Sequence, residues 1–402
     1  MKRTIPGFRR GFILFIILFG LILTFRIRDS RTSSSFHVTH GKKPHKAQSS
    51  IQPSHDDLVT IVYVMLGEPQ FQHYILYSIR QTRLMNPKTR IALVVSEALY
   101  TDRPEWIPEL IEAPLLVNLV NYSMLLTNYV LDFQEHFIDL WDGLKHGGFM
   151  VPTVTDEKGN ANANYLFTQL TTERLFALQS LMHVYKLENV IHLENDQMIY
   201  TSVDKVIKAS KICNVHLAMS KIGERLAPAV VYIKDSAALL DMLDFMLEAI
   251  SKGRDHAIKV AGSRWVTDMT LTAAYFSQKR KGTTTLPNHA DDSCIYKAIP
   301  GGLIIDGAPL GHWCCGAFGN GQENKFFQIK DEESEVAYWD HPFEWREVEV
   351  EEEEEGKGLV KMDLVETIKM RKPFWNNLAV FNLHIHSKQL QLWGSHIDKV
   401  ER

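Results

Sequence analysis

At 402 residues the chain can hold two ordinary domains, or one large α/β domain with tails. A composition of 45% hydrophobic and 23% charged residues is that of a globular protein and excludes wholesale disorder. A formal net charge of −4 lacks the basic excess of a nucleic-acid binder. The four cysteines are Cys213, Cys294, Cys314 and Cys315. They are too few for a disulfide scaffold, and with no CxxC pair they argue against structural zinc. One or two disulfides stay open, without assigned partners.

Taken in chain order, the first feature is an uncharged run at 11–25, GFILFIILFGLILTF. Lys2, Arg3, Arg9 and Arg10 precede it, and Arg26, Arg28 and Arg31 follow. It would span about 22 Å of a ~30 Å bilayer core, a gap that snorkelling arginines and a thinner bilayer close. The reading is a cytosolic tail at 1–10 and a transmembrane signal-anchor at 11–25. A cleaved signal peptide competes, but no small-residue cleavage site follows; a buried helix is the third alternative. Residues 26–56 are rich in Ser, Thr, His, Lys and Pro, a composition that reads as a flexible stem. Anchor, stem and body together suit a lumenal modifying enzyme, so a single-pass type II Golgi membrane protein is expected, with the endoplasmic reticulum as the alternative. The acceptor pattern Asn121-Tyr122-Ser123 is compatible with a lumenal body.

The body opens with Leu58 to Leu66 (LVTIVYVML), a continuous apolar, β-branched run that reads as a buried parallel strand. Gly67-Glu68-Pro69 breaks it, and 71–85 carries apolar residues at helical spacing until Asn86-Pro87 stops it. Arg90 to Val95 (RIALVV) is a second strand, completing a βαβ unit with parallel strands. Further on, helix is expected near 123–141, a Gly/Asn-rich loop at 147–164, and an amphipathic helix at 171–185. Val190 to Leu193 then forms a strand. Helices follow at 236–251 and 267–276, and a last strand at 378–385 (LAVFNLHI). The acidic run 351–355 reads as a solvated loop.

The strongest chemical signal is Asn189 to Tyr200, NVIHLENDQMIY. An apolar strand runs into Glu194-Asn195-Asp196 and returns to apolar Met198-Ile199-Tyr200. Ligands of open α/β sheets bind outside the carboxyl ends of strands, where this acidic pair falls. Two carboxylates at such a place suit a hard divalent cation, Mn²⁺ or Mg²⁺, bridging to substrate phosphates. A polar turn between strands is the alternative reading.

Glu194-Asn195-Asp196 resembles the D-x-D motif, in its E-x-D variant, of glycosyltransferases with the GT-A fold. The opening strand, the Asn-Pro helix stop and the second strand also resemble the start of those enzymes. The resemblance implies an α/β, Rossmann-like, mainly parallel sheet flanked by helices. It divides the body into a nucleotide-sugar-binding half at 57–210 and an acceptor-binding and C-terminal half at 211–402. It further implies a nucleotide-sugar donor, with a UDP-sugar expected, and a glycan, protein or lipid hydroxyl as acceptor. Glu194 and Asp196 would be metal ligands, and Glu194, Asn195 and Asp196 together would hold the donor. Within FNLHIHSK, His384 or His386 would add a metal ligand, and Lys388 would neutralise diphosphate charge. Arg174 occupies the helix before the motif, where similar enzymes place a basic residue near the nucleotide; an exposed helix arginine is the alternative.

Three acids are candidates for a catalytic role: Asp268, Asp292 and Asp306. Asp268 lies in WVTDMT at an expected helix start, where it could serve only as an N-cap. Asp306 lies in a glycine-rich stretch, IIDGAPLG, with His312 and Trp313 beyond it; the stretch suits a sugar-binding loop or a tight turn. Gly67, Ser96 and Glu97, at strand ends, are candidate neighbours of the nucleotide base. Two other functions stay open: a metal-dependent hydrolase, and a non-catalytic glycan-binding relative that kept the fold.

Overall fold

The computed structural model describes residues 59–66, 74–102, 106–146, 162–222, 225–263, 266–311, 343–350, 368–385 and 395. All of them fall in the compact unit His55–Arg402. The expected anchor at 11–25 and stem at 26–56 lie outside the described residues, as do Gly67, His312, Trp313, Cys314, Cys315, the acidic run 351–355, His386 and Lys388. Among the described residues no helix is long and apolar enough to cross a membrane.

Strand β1 (Thr60–Met65), helix α1 (Tyr74–Met85) and strand β2 (Arg90–Val95) form the βαβ unit expected from their apolar patterns. The two strands pair in parallel, with Tyr63 opposite Leu93. Asn86 ends α1 and closes the turn, because its amide donates to Thr82 O and its oxygen accepts from Val203 N. Short helices α2 (Glu97–Asp102) and α3 (Trp106–Ile111) lead to edge strand β3 (Asn118–Asn121). A 3₁₀ turn at Tyr122–Leu125 then leads into α4 (Asn128–His146) and α5 (Asn162–Tyr185).

Helix α5 starts nine residues before the 171 expected. Asn162 and Asn164 favour a loop locally, but the helix is anchored by the buried stretch Leu175–Met182 and extends backwards from it. The remaining elements follow in order. They are β4 (Val190–Leu193), β5 (Gln197–Ile199), α6 (Asp204–Ile212), β6 (Leu217–Ile222), β7 (Arg225–Ile233), α7 (Ser236–Ser251), α8 (Arg254–Ala261) and α9 (Asp268–Ser277). Then come β8 (Thr283–Thr285), α10 (Cys294–Ala298), β9 (Ile304–Ile305), β10 (Phe343–Val350), β11 (Ile368–Trp375) and β12 (Leu378–His384).

The main sheet has the order β3-β2-β1-β4-β7-β6-β8. Its first four strands are mutually parallel, and β7 runs antiparallel to β4 and β6. The fold is therefore α/β with a mainly parallel central sheet flanked by helices. Period-two alternation sends Val62, Val64, Ala92 and Val94 to a core shared with α4, α5 and α7. Ile61, Tyr63, Met65, Ile91 and Leu93 go to the opposite core, against α1 and α6. Both faces are covered, which is why β1 and β2 read as unbroken apolar runs.

A second sheet, β10-β11-β12-β5 with β9 beside β12, carries its own small core around Tyr200, Leu310, Trp375 and Leu383. Strands β11 and β12 are joined by Asn376-Asn377, both at positive φ (48° and 62°), a conformation that asparagine tolerates in tight hairpins. Helix α1 ties β5 down, since Ser78 and Gln81 donate to Gln197 O and Ile199 O.

The structure pairs Cys213 with Cys294, joining the end of α6 to the start of α10 across 81 residues of sequence. Their spacing in sequence carries no hint of this; the fold brings the two Cα atoms to 5.8 Å. Closing a loop this long restricts the unfolded chain, and the double variant Cys213→Ser/Cys294→Ser should lose roughly 2–4 kcal/mol of stability. Denaturant unfolding with and without reductant checks this, and reductant should have no further effect on the variant.

Candidate metal centre

The turn Glu194–Asp196 connects β4 in the main sheet to β5 in the second sheet. It therefore sits at the seam of the two sheets and at the carboxyl end of the parallel strands. Along β4, Val190 faces the core that holds α5, while Ile191 and Leu193 face the other. The same alternation turns His192 and Glu194 toward α5, where Arg174 waits. The turn hangs from β7: Glu194 N donates to Ala229 O at 3.0 Å. That bond carries the β4–β7 register one residue past Leu193↔Val230, while on the other edge of β7 the β6 register shifts around Pro228, which has no N–H to give the ladder. Ser220 repairs the gap, its hydroxyl donating to Ala227 O and accepting from Val230 N.

Strand β12 supplies the third member. His384 stands opposite Gln197 in the β12–β5 register, next to Asp196 in the chain, and Ile385 N donates to Asp196 O. Its Nε2 is 3.1 Å from Glu194 Oε2 and 3.1 Å from Asp196 Oδ1. Its Nδ1 lies 2.9 Å from Gly307 O. A carbonyl only accepts, so Nδ1 carries a proton; Nε2 donates to the two carboxylates when the ring is protonated and, once deprotonated, is the nitrogen that can ligate a cation between them. Ligand atoms of Glu194, Asp196 and His384 all lie within 4.8 Å of one another, the only such group of three or more among the described residues. Two carboxylate oxygens and one imidazole nitrogen form a donor set that fits Mn²⁺ or Mg²⁺.

Arg174 completes the charge balance. Its guanidinium contacts Glu194 Oε1 and reaches Asp268 Oδ2 at 3.1 Å, with only 11% of the side chain exposed. It is thus an interior bridging residue and not an exposed helix arginine. Burial pushes Glu194 up, but Arg174 and His384 outweigh it and hold this carboxyl below its ordinary range. Burial also raises Asp268, an effect Arg174 opposes without cancelling. For His384, burial alone would lower the ring; Asp196 and Glu194 overcome it and lift the ring to about 9. Two buried carboxylates and the half-buried Glu194 thus share one guanidinium and one imidazole.

Asp268 is the first residue of α9 and does not cap it. Thr267 is the N-cap and exchanges bonds with Thr270, which leaves the Asp268 side chain for Arg174. Asp306 is 1% exposed, and both carboxylate oxygens accept main-chain N–H groups. Its glycine-rich loop presses against neighbouring backbone: a Cβ at Gly307 would lie 2.4 Å from Lys221 O, and one at Gly311 2.2 Å from His384 O. Glycine serves close approach here, so the stretch is a tight loop backing β12. Asp292 is solvent-exposed and pairs with Lys297 at 2.9 Å. Asn195 lies in the turn with a buried Oδ1 that has no partner among the described residues, and Ser96 has a similar buried hydroxyl at the end of β2.

Two residues of this neighbourhood escaped the sequence reading, His192 and Asn382. Both had a signal, a polar side chain inside an apolar strand run (VIHL and VFNLHI). His192 donates from Nδ1 to Val62 O, and burial, then Arg174, lowers it to about 4, so it stays neutral.

No family model matches the chain, and no curated protein matches it. Among solved structures, an active-site mutant of LgtC aligns over 67% of this chain and 81% of its own, at 10% identity and a TM-score of 0.39. The galactosyltransferase LgtC in complex with donor and acceptor sugar analogs covers 57% of this chain and 73% of its own, at 12% identity and a TM-score of 0.36. The PaToxG glycosyltransferase covers 55% and 68%, at 12% identity and a TM-score of 0.32. Likenesses this distant assign no family.

Folding lifts His384 from 6.5 to about 9, so the native chain binds this proton more tightly than the unfolded chain. The resulting stabilisation is complete below pH 6.5 and is lost as pH rises to 9. Without metal, the unfolding free energy should fall by on the order of 3 kcal/mol across that window, and His384→Gln should flatten the slope. Urea titrations in chelator at several pH values measure both. Mn²⁺ affinity should move the opposite way and rise with pH, because the cation competes with the proton.

Proposed function

We propose that this protein is a metal-dependent glycosyltransferase, moving a sugar from a nucleotide-sugar donor, a UDP-sugar, to a hydroxyl acceptor. The observation that carries the reading is the convergence of Glu194, Asp196 and His384 at the carboxyl end of the parallel strands. The E-x-D resemblance to GT-A glycosyltransferases, stated on sequence grounds, adds the donor class. Mn²⁺ or Mg²⁺ held by these three side chains would neutralise charge on the donor diphosphate.

The chain's own groups divide the remaining work. Arg174 orients Glu194 and screens the acidic cluster, and on this reading it keeps that cluster intact when no donor is bound. Asn195 and Ser96, whose buried oxygens have no partner among the described residues, are assigned to the donor. Asp268 is assigned to the acceptor side, because its raised pKa suits a general base and Arg174 links it to the metal ligands. Lys388 and His386 stay proposed as diphosphate and metal partners, and Gly67 as a neighbour of the base. The anchor at 11–25 would hold the enzyme as a type II protein of the Golgi membrane, or of the endoplasmic reticulum, with a glycan, protein or lipid acceptor in the lumen.

Calorimetric titration of the full-length chain in detergent with UDP tests this directly. Binding is expected in Mn²⁺, should be lost in EDTA, and should weaken at least a hundred-fold in Asp196→Ala with the fold intact. A folded wild-type chain that binds neither UDP nor GDP in Mn²⁺ would contradict the transferase reading. Arg174→Ala should leave Asp268 without its ion pair and Glu194 with His384 as its remaining cation. It should cost about 3–5 kcal/mol of stability without metal, and less when Mn²⁺ is present.

A further inference from the structure

We propose that Asp306 is a positioning residue for the metal centre and acts through His384. This rests on the reading of Glu194, Asp196 and His384 as cation ligands. The Asp306 carboxylate is buried and accepts four main-chain N–H groups. Oδ1 takes those of Ala308 (2.9 Å) and Leu310 (3.0 Å), and Oδ2 takes that of Gly311 (2.8 Å). These three only shape the loop. The fourth comes from another element, His384 N on β12, 78 residues on, at 3.0 Å from Oδ2. One carboxylate therefore fixes both the loop and the main chain of a metal ligand.

The loop answers with a second bond to the same residue. Gly307, next to Asp306, accepts from His384 Nδ1, which sets the ring's tautomer and rotation so that Nε2 faces Glu194 and Asp196. Main chain and ring are thus held from one dipeptide. Asn382 locks that dipeptide to the strand: its oxygen accepts from Asp306 N, and its amide donates to Asp306 O and Gln197 Oε1. No slack remains at the other end of the loop, where a Cβ on Gly311 would meet His384 O, C and N at 2.2–2.8 Å.

Asparagine cannot replace Asp306 in this role. Its single oxygen can serve the loop donors at Oδ1, but its NH₂ would then face Gly311 N–H and His384 N–H, donor against donor. The test is a double-mutant cycle on Mn²⁺ affinity, read by electron paramagnetic resonance of the free ion with the full-length chain in detergent. Asp306→Asn should weaken Mn²⁺ binding ten-fold or more. In a His384→Gln background the same change should alter the residual affinity less than two-fold, because the ligand it positions is gone.

Gly311→Ala displaces the same His384 main chain with the Asp306 carboxylate intact. It should give the same pattern, and it carries the test if Asp306→Asn fails to fold. Undiminished Mn²⁺ binding in the folded variants would overturn the positioning role alone. An equal loss in both backgrounds would also overturn it, since a long-range charge effect or general loosening does not need His384. A folded wild-type chain that binds no Mn²⁺ would overturn the cation reading, and this proposal with it.

Discussion

Glu194 and Asp196 are one residue apart in a turn too tight to separate them, and that turn is enclosed between two sheets. Two carboxylates forced together out of water repel each other and lose their hydration, so something positive must be built in with them. The structure supplies it from two directions. Arg174 comes from helix α5 on one side, and His384 from strand β12 on the other. Much of the architecture around the seam reads as the means of delivering those two groups.

Delivery depends on backbone that departs from regular geometry in a few places. The β6–β7 register shifts around Pro228, on the strand whose other edge bonds the acidic turn through Ala229 O. Ser220 makes that departure tolerable by bonding to both sides of the gap. On the far side, Gly307 and Gly311 let the 306–311 loop lie directly against β6 and β12. Helix α1 holds β5 through Ser78 and Gln81, so the strand leaving the turn cannot drift from the strand bearing His384. Each device sits next to the acidic turn, where local irregularity is repaid by the placement of a charged side chain.

Charge is continuous through the site, running Asp268, Arg174, Glu194, His384, Asp196. With a neutral imidazole this line carries three negative groups and one positive. A divalent cation beside Nε2 would bring it to balance, and a proton on His384 does part of the same work. Arg174 is shared between Glu194 and Asp268, which couples the ligand side of the site to the first turn of α9.

How much of this was legible beforehand follows from the range of the interactions involved. The runs LVTIVYVML and RIALVV and the Asn-Pro stop specified β1, α1 and β2, because burial on both faces and helix termination act within a few residues. Helix 236–251 was equally plain from its own pattern. The acidic turn at the end of β4 was readable too, as polar groups set between apolar runs, whereas the pair His384 and His386 was marked without a choice between them. The rest was decided only in three dimensions. Edge strand β3 has four residues and little pattern, and pairing with β2 makes it a strand. Asp268, Asp292 and Asp306 look alike as letters. Their differences, an ion pair with Arg174, an exposed pair with Lys297 and a cradle of main-chain N–H groups, come from partners up to 94 residues away. The Cys213–Cys294 bridge and the meeting of His384 with Glu194 have the same origin. Local sequence sets what a segment can be, whereas electrostatic and hydrogen-bond partners are chosen by chain topology, which no local pattern records.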